Sequence, residues 1–195
     1  MKALLVLAAI IAAPIAAAAQ HAGGSPAPST VAPREASQFD FLIGQWQVEV
    51  RPAISSLAAK IHGVPKLIGT WKAWRAVDGF GIEDELRISD ESGNPRTLAH
   101  AVRVYDAAAR RWTTSTLDVY RAVFGTSTGE WAENQMTATL RGADKDGKPN
   151  MTRTRFSNIT PTSFRFTQER SADDGRTWTE TLRIQAKRTA PTAAR

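Results

Sequence analysis

The chain contains 195 residues and no cysteine, which excludes a disulfide framework, a thiolate metal site and a cysteine-linked lipid anchor. Its formal net charge is +6, but subtracting the basic residues at the two ends (Lys2, Lys187, Arg188 and Arg195) leaves about +2 for the region between them. These remaining charges are scattered and form no basic, aromatic-rich stretch, so nucleic-acid binding is not expected. The length suits a single folded domain.

The N-terminal segment has the pattern of a secretory signal. Lys2 is followed by an apolar run at residues 3–13 and by small residues at 17–19. This pattern predicts a signal peptide at residues 1–19, cleaved before Gln20. The apolar run is shorter than the ~20 residues that a membrane span needs. We therefore expect a periplasmic or secreted protein that is not bound to the membrane after cleavage.

Composition also sets the expected limits of the folded domain. Residues 20–38 are rich in Pro, Ala, Ser and Gly and predict a disordered linker. The folded domain is expected at residues 39–187, and residues 188–195 are expected to form a disordered tail.

The domain opens on an aromatic octet, Phe-Asp-Phe-Leu-Ile-Gly-Gln-Trp, at residues 39–46. Ser37 and Asp40 have the spacing of a capping box, and Gly44 can end a helical turn in the left-handed conformation. The octet therefore predicts a one-turn helix that closes the floor of a barrel, followed by the first strand.

A second short helix is expected between the first two strands. Apolar residues recur there at helical spacing, ahead of a glycine and a proline: Ile54, Leu57, Ala58 and Ile61. The segment is interpreted either as a lid over the barrel mouth or as an ordinary surface helix with one apolar side.

Strand-length segments rich in Thr, Val, Ile, Phe and Trp fill most of the remaining chain. Turn-type clusters separate many of them, and one such cluster is Gly-Thr-Ser-Thr-Gly at 125–129. Even spacing and short turns predict an all-β fold, an antiparallel up-and-down barrel of eight to ten strands. The strands are predicted at 45–51, 67–77, 80–89, 97–105, 111–119, 121–125, 132–141, 150–157, 162–170 and 177–187.

Polar residues on the apolar faces of these strands are the candidate pocket residues. His100 shares a face with Leu98, Val102 and Val104, Gln168 follows Phe164 and Phe166, and Glu180 follows Trp178. A buried polar atom without a partner costs about 1 to 3 kcal/mol, so such residues suggest contact with a ligand. Arg155 and one of the six tryptophans, Trp71, complete the predicted ligand-binding set, since Trp71 and Trp74 cannot both face inward on a regular strand.

Three segments resemble a known family. They are the octet at 39–46, Val104-Tyr105-Asp106 followed by Arg111-Trp112, and the hairpin sequence at 169–178 that contains Asp-Asp-Gly-Arg-Thr-Trp. Together they are similar to segments of a family of secreted bacterial lipocalin-like domains, and the Gly-x-Trp element also opens the first strand of other calycins. The resemblance implies a calycin-type barrel but no particular activity.

The nitrobindins, a related barrel family, open on a similar Leu-Gly-x-Trp segment and bind haem through a histidine on a late strand. The histidines of this chain are His21, His62 and His100, and the last half has none. No cofactor is therefore expected. Haem binding remains an alternative only if His100 is the axial ligand.

Patterns that would indicate catalysis or metal binding lack the context they need. The Gly-x-Ser-x-Gly string at 125–129 is followed by no histidine, and we interpret it as a hairpin turn. Residues 144–147 resemble the start of a calcium-binding loop, but Arg155 occupies the position where such a loop requires a bidentate glutamate. Glu83 and Glu85 share a face that is best explained as solvated. No catalytic residue and no metal ligand is predicted.

These observations favour a binding module, secreted or periplasmic, that holds a small apolar or aromatic molecule in its barrel. Two alternatives remain open: a calycin-type isomerase or cyclase, and a structural or interaction protein with a filled barrel. An enzyme is the less favoured of the possibilities. The presence or absence of an interior cavity distinguishes these hypotheses.

Overall fold

The computed structural model describes residues 30–53, 64, 66–143 and 146–189. The predicted signal peptide and the predicted helix at 54–61 lie outside the described residues. Among those described, no helix has the length and apolar character needed to cross a membrane.

Ten antiparallel strands make up most of the described chain, and each pairs with its neighbours in sequence. The last strand pairs with the first, with Val48 opposite Ala186, so the sheet closes into a barrel. The all-β up-and-down barrel is therefore confirmed. The strands are β1 (Gly44–Pro52), β2 (Leu67–Ala76), β3 (Gly81–Asp90), β4 (Pro95–Asp106), β5 (Arg111–Asp118), β6 (Val123–Ala132), β7 (Gln135–Ala143), β8 (Pro149–Ser157), β9 (Ser163–Ser171) and β10 (Thr179–Arg188).

The predicted turn at 125–129 is wrong, because these residues lie inside β6. The β6–β7 turn is formed instead by Glu133 and Asn134, which both have positive φ, 49° and 60°. Two successive left-handed residues are the geometry of a tight hairpin turn whose twist matches that of the strands. A strand in which glycine and serine alternate with threonine has the composition of a loop. The sequence therefore predicts a turn where the structure has a strand.

A 3₁₀ helix, Arg34–Leu42, covers one end of the barrel, and we call it the plug helix. Phe39 and Leu42 are fully buried, as the sequence predicted for a floor plug. The helix begins earlier than expected, after Pro33. The predicted capping box is absent, because Ser37 lies within the helix and its hydroxyl donates to the Arg34 carbonyl at 2.8 Å.

Aromatic side chains fill the barrel next to the plug helix. The Phe39 ring meets Trp112 edge to face at 4.7 Å between centroids, and it contacts Phe156 at 5.7 Å. Trp46, also fully buried, meets Phe164 at 4.8 Å. Edge-to-face packing of large rings makes this half of the interior dense.

Arg188 fastens the plug helix to the barrel, although the sequence predicted this residue to lie in the disordered tail. It is the last residue of β10, and its guanidinium lies 4.1 Å from the centroid of the Trp46 ring. The same group donates to the carbonyls of Phe41, Ile43 and Pro161 at 2.8 to 2.9 Å. Arg188 therefore does not belong to the tail, and residues 190–195 lie outside the described residues. The sequence does not show this, because the partners of Arg188 lie far back in the chain.

Gly44 is required where the plug helix passes into β1. Its φ is +126°, a conformation that residues with a Cβ avoid, as the left-handed prediction anticipated. A Cβ there would lie 2.5 Å from an Arg188 guanidinium nitrogen, so the glycine also leaves room for the Arg188 side chain.

Candidate ligand cavity

A cavity of about 410 Å³ occupies the interior beside the aromatic layer, and Phe39 of the plug helix is part of its wall. One part of its wall is aliphatic, from residues on strands β1 to β3, β7 and β10. The other part consists of small or hydroxyl-bearing side chains, mainly on β4 to β8. The aliphatic residues include Val50, Leu67, Leu86, Ile88, Leu140 and Leu182, and the small ones include Ala99, Ala101, Gly125, Ser127, Ala138 and Thr154.

The cavity exists because small residues occupy inward positions of neighbouring strands. Gly125 and Ala138 both belong to its wall, and the strand register places Gly125 opposite Thr116. Residues that face each other across a strand pair point to the same side of the sheet, so these positions together remove side-chain volume from one part of the interior. Gly125 of β6 thus helps to create the space.

Asp84 and Arg103 form a buried ion pair in the wall of this cavity, with side chains 4% and 7% exposed. The Trp71 indole donates to Asp84 Oδ1 at 2.7 Å, and the Arg103 guanidinium contacts Asp84 Oδ2. Strands β2, β3 and β4 each supply one of these side chains, and Thr114 of β5 lies opposite Arg103 in the register. We call Trp71, Asp84 and Arg103 the buried triad.

The buried triad holds a cation whose hydrogen-bonding capacity is only partly used. Within the described part of the chain, the guanidinium forms its ion pair with Asp84. The Arg103 Cζ lies 5.5 Å from the Phe39 ring and 5.6 Å from the Phe156 ring, so its planar face is held by aromatic groups. Burial lowers the pKa of Arg103 to about 9, so the group is still charged at neutral pH.

The sequence did not identify Asp84 and Arg103. Alternation along β4 separates two faces correctly, but it favours the larger apolar residues as the inward ones. The inward face in fact carries Ala99, Ala101 and Arg103. The structure shows this because Ala101 and Arg103 are buried, whereas Val102 between them is half-exposed. The one feature of the sequence that pointed to Arg103 was its position between two valines, Val102 and Val104.

Of the five predicted site residues, the cavity wall includes Gln168 and His100, and Trp71 is connected to it through its hydrogen bond to Asp84. Gln168 is part of the cavity wall and lies opposite Thr154 and Leu182 in the register. Trp71 is buried and belongs to the triad, whereas Trp74 is 41% exposed, as expected for two tryptophans on opposite faces.

His100 borders the cavity, but its imidazole belongs to the outward face. Its Nε2 lies 3.4 Å from Glu83 Oε2, and its ring lies 6.0 Å from that of Trp74. Glu85 is directly opposite His100 and binds Arg87 on the same face.

Arg155 and Glu180 are also directed away from the interior. Arg155 Nη1 lies 2.8 Å from Glu169 Oε2, in an outward network that includes Arg153. Glu180 binds Arg183 at 2.8 Å, because a register shift between Glu180 and Leu182 interrupts the alternation of β10. A bulge moves the residues on either side of it to faces that simple alternation does not predict.

The described residues contain no group of three or more His, Asp or Glu side chains arranged to hold a metal ion. The polar residues of the cavity wall are Arg103 with its paired Asp84, Asp118, which binds Arg121, His100, Gln168 and several serines and threonines. These groups can orient a ligand through hydrogen bonds while the aliphatic wall contacts its apolar part.

Comparison with solved structures gives a similar fold. The chain resembles the S-type phycobiliprotein lyase CPES from Guillardia theta with a TM-score of 0.53 and 11% identity, over 78% of this chain and 90% of the lyase. It also matches a de novo designed fluorescence-activating β-barrel at 10% identity and a TM-score of 0.40, over 79% of this chain and 98% of the design. No family model and no curated protein matches the sequence. At these identities the likeness to the lyase concerns the barrel fold alone.

Proposed function

We propose that the protein binds a small, largely apolar or aromatic molecule inside its barrel. The observation that carries this proposal is the cavity of about 410 Å³, whose size and mixed lining lie in the range of small-molecule sites. A closed barrel is a suitable container, because its wall has no edge strand and its strands hold the lining side chains rigidly.

The alternatives receive less support. A barrel with a filled interior does not agree with an empty volume of this size. An isomerase or cyclase needs a group that accepts or donates a proton at the ligand. The buried carboxylate of the wall, Asp84, has Trp71 on one oxygen and Arg103 on the other, and the second carboxylate, Asp118, is paired with Arg121. This arrangement suits a fixed anchor better than a base.

We also propose that binding takes place in the periplasm or outside the cell. The support is the signal-like sequence at residues 1–19. Mass spectrometry of the protein recovered from a periplasmic or culture fraction tests this directly: a mature N-terminus at Gln20 is expected, and recovery of the uncleaved chain from the cytoplasm contradicts it.

The binding proposal is tested with a neutral aromatic probe, 2-acetylnaphthalene, titrated by isothermal calorimetry. Ser127→Leu adds side-chain volume to the cavity wall and is expected to weaken binding at least tenfold, which corresponds to about 1.4 kcal/mol. The matched control is Thr126→Leu, which adds a similar volume on the exposed face of the same strand. Equal affinity of both variants, with both folded, contradicts binding in this cavity.

A further inference from the structure

Arg103 lines the cavity and carries more hydrogen-bond donors than its carboxylate partner, Asp84, can accept. A guanidinium carries five N–H groups in a fixed plane, and one side of it is occupied by Asp84. The side chain is 7% exposed and the residue belongs to the cavity wall, so the cavity is the space from which a ligand can accept from the N–H groups that Asp84 does not occupy. Buried donors of this kind cost free energy unless a ligand or a trapped water accepts from them.

The charge balance of the triad limits the ligand's polar group. Asp84 already neutralises Arg103, and the Trp71 indole supplies a neutral donor. A ligand carboxylate at this position would place a second negative charge beside one buried cation, leaving a net charge in a medium of low polarity. A neutral acceptor, such as a carbonyl oxygen, gains a charge-assisted hydrogen bond without adding charge.

The shape of the cavity fixes where the rest of the ligand lies. Arg103 is next to the aromatic layer, since it packs on Phe39 and Phe156. The aliphatic residues Val50, Leu67, Ile88 and Leu182 lie farther along their strands toward the other end. A ligand with one polar end therefore meets the triad with that end and the aliphatic wall with its apolar body.

We infer that the barrel selects neutral apolar molecules that carry a carbonyl-type acceptor, and that Arg103 of the buried triad donates to this acceptor. This inference rests on the proposed binding function, and it names the ligand class. Arg103 is a binding residue in this account, while Asp84 and Trp71 position its guanidinium.

Three naphthalenes of nearly equal shape test the inference by calorimetry on the wild-type protein. They are 2-acetylnaphthalene, with a neutral acceptor, 2-isopropenylnaphthalene, with a methylene in place of the oxygen, and 2-naphthoate, with a carboxylate. We expect the ketone to bind about tenfold or more tightly than the isopropenyl compound, the usual value of a hydrogen bond to a charged group. The carboxylate is expected to bind more weakly than the ketone.

A double variant, Asp84→Leu with Arg103→Met, separates recognition from stability. Removing both charges together leaves neither one buried alone, and such replacements are often tolerated. The preference for the ketone over the isopropenyl compound should disappear in this variant. Arg155→Met, an arginine removed from the outward face, is the matched control and should keep the preference.

The outcomes are distinguishable. Absence of binding by all three compounds contradicts the proposed function itself. Equal binding of the ketone and the isopropenyl compound by the wild-type protein leaves a binding barrel but overturns the role of Arg103. Tightest binding of 2-naphthoate overturns the neutral ligand class. Because the wild-type series decides these points alone, a double variant that fails to fold does not remove the test.

Discussion

Asp173 orders the turn between β9 and β10 through hydrogen bonds to its carboxylate. It accepts from the amide and the hydroxyl of Thr177 at 2.9 and 2.6 Å and from the Ser171 hydroxyl at 2.7 Å. Trp178 completes the turn by donating to the Gly175 carbonyl at 2.9 Å. The Asp-Asp-Gly-Arg-Thr-Trp sequence is therefore explained by local structure, without a ligand.

The same hydrogen bonds make Asp173 a source of acid sensitivity. The Thr177 hydroxyl and amide, and then the Ser171 hydroxyl, lower the pKa of Asp173 from 3.8 to about 2. A lowered native pKa stabilises the fold above the unfolded-state value, and this contribution is lost as the pH falls through the native value. The wild-type protein should thus be more stable than Asp173→Asn at pH 7, and the difference should vanish between pH 3.8 and about 2.

Urea unfolding at a series of pH values measures this difference. Asp174→Asn is the control, since Asp174 is 69% exposed in a surface pair with Arg141 and should matter less. A gap between the wild-type protein and Asp173→Asn that stays constant down to pH 2 would contradict the assignment.

Individual site residues were the hardest feature to predict from the sequence. Alternation shows which residues share a face, but it does not show which face points inward when both contain apolar residues. For β4 the inward residues are the small ones, so the prediction favoured His100 over Arg103. For β10 the bulge near Glu180 breaks the alternation itself. Gln168 and Trp71 lie on strands where the large apolar residues do face inward.

Strand β6 shows how two glycines in one element have different roles. A Cβ at Gly129 would lie 2.4 Å from the Thr137 carbonyl oxygen and 2.7 Å from the Ala138 Cα, both backbone atoms that cannot move aside. A Cβ at Gly125 would meet the Thr116 hydroxyl at 3.3 Å and the Leu140 side chain at 3.6 Å, next to the cavity. Gly129 allows close packing of strands, whereas Gly125 leaves space for a ligand.

Alanine substitution should separate these two roles. Gly129→Ala is expected to lower the free energy of unfolding by about 1 to 3 kcal/mol, the usual cost of overpacking. Gly125→Ala should change it by less than about 1 kcal/mol, because the added methyl fits and the unfolded chain loses freedom. Urea unfolding of both variants provides the comparison, and equal destabilisation would show that the cavity beside Gly125 is not open in solution.

Positions of most elements followed from the sequence, because half-buried strands alternate and polar turns separate them. The exception, β6, is polar and glycine-rich on its inward face, since it faces a cavity and not a packed core. The small and polar residues that make β6 part of the candidate site are the same residues that made its sequence resemble a loop.

At the scale of the whole molecule, closure depends on the pairing of the first and last strands. Strand β10 pairs with β1 from Trp46 to Pro52, and beyond it the Thr189 amide donates to the Gln45 carbonyl at 2.9 Å. A chain that ends at Arg183 lacks Ile184 and Ala186, which are fully buried, and leaves β1 with an unpaired edge. Exposed strand edges promote association between chains.

Truncation tests this dependence. A chain that ends after Thr189 should keep the circular dichroism spectrum and the monomer or oligomer size of the full chain, because every strand remains complete. A chain that ends after Arg183 should aggregate or elute as a heterogeneous species in size-exclusion chromatography. A well-folded product of the shorter length would show that β10 does not close the barrel.

The hydrogen bonds between Arg188 and the plug helix also affect the order in which parts of the barrel fold. Arg188 lies 145 residues after Ile43 and 147 after Phe41, the carbonyls to which it donates. Hairpins between neighbouring strands can form early in folding, but contacts across such a separation form late and slowly. The aromatic octet thus stands first in the folded domain and is secured last, so the floor of the barrel stays incomplete until the final strand has paired.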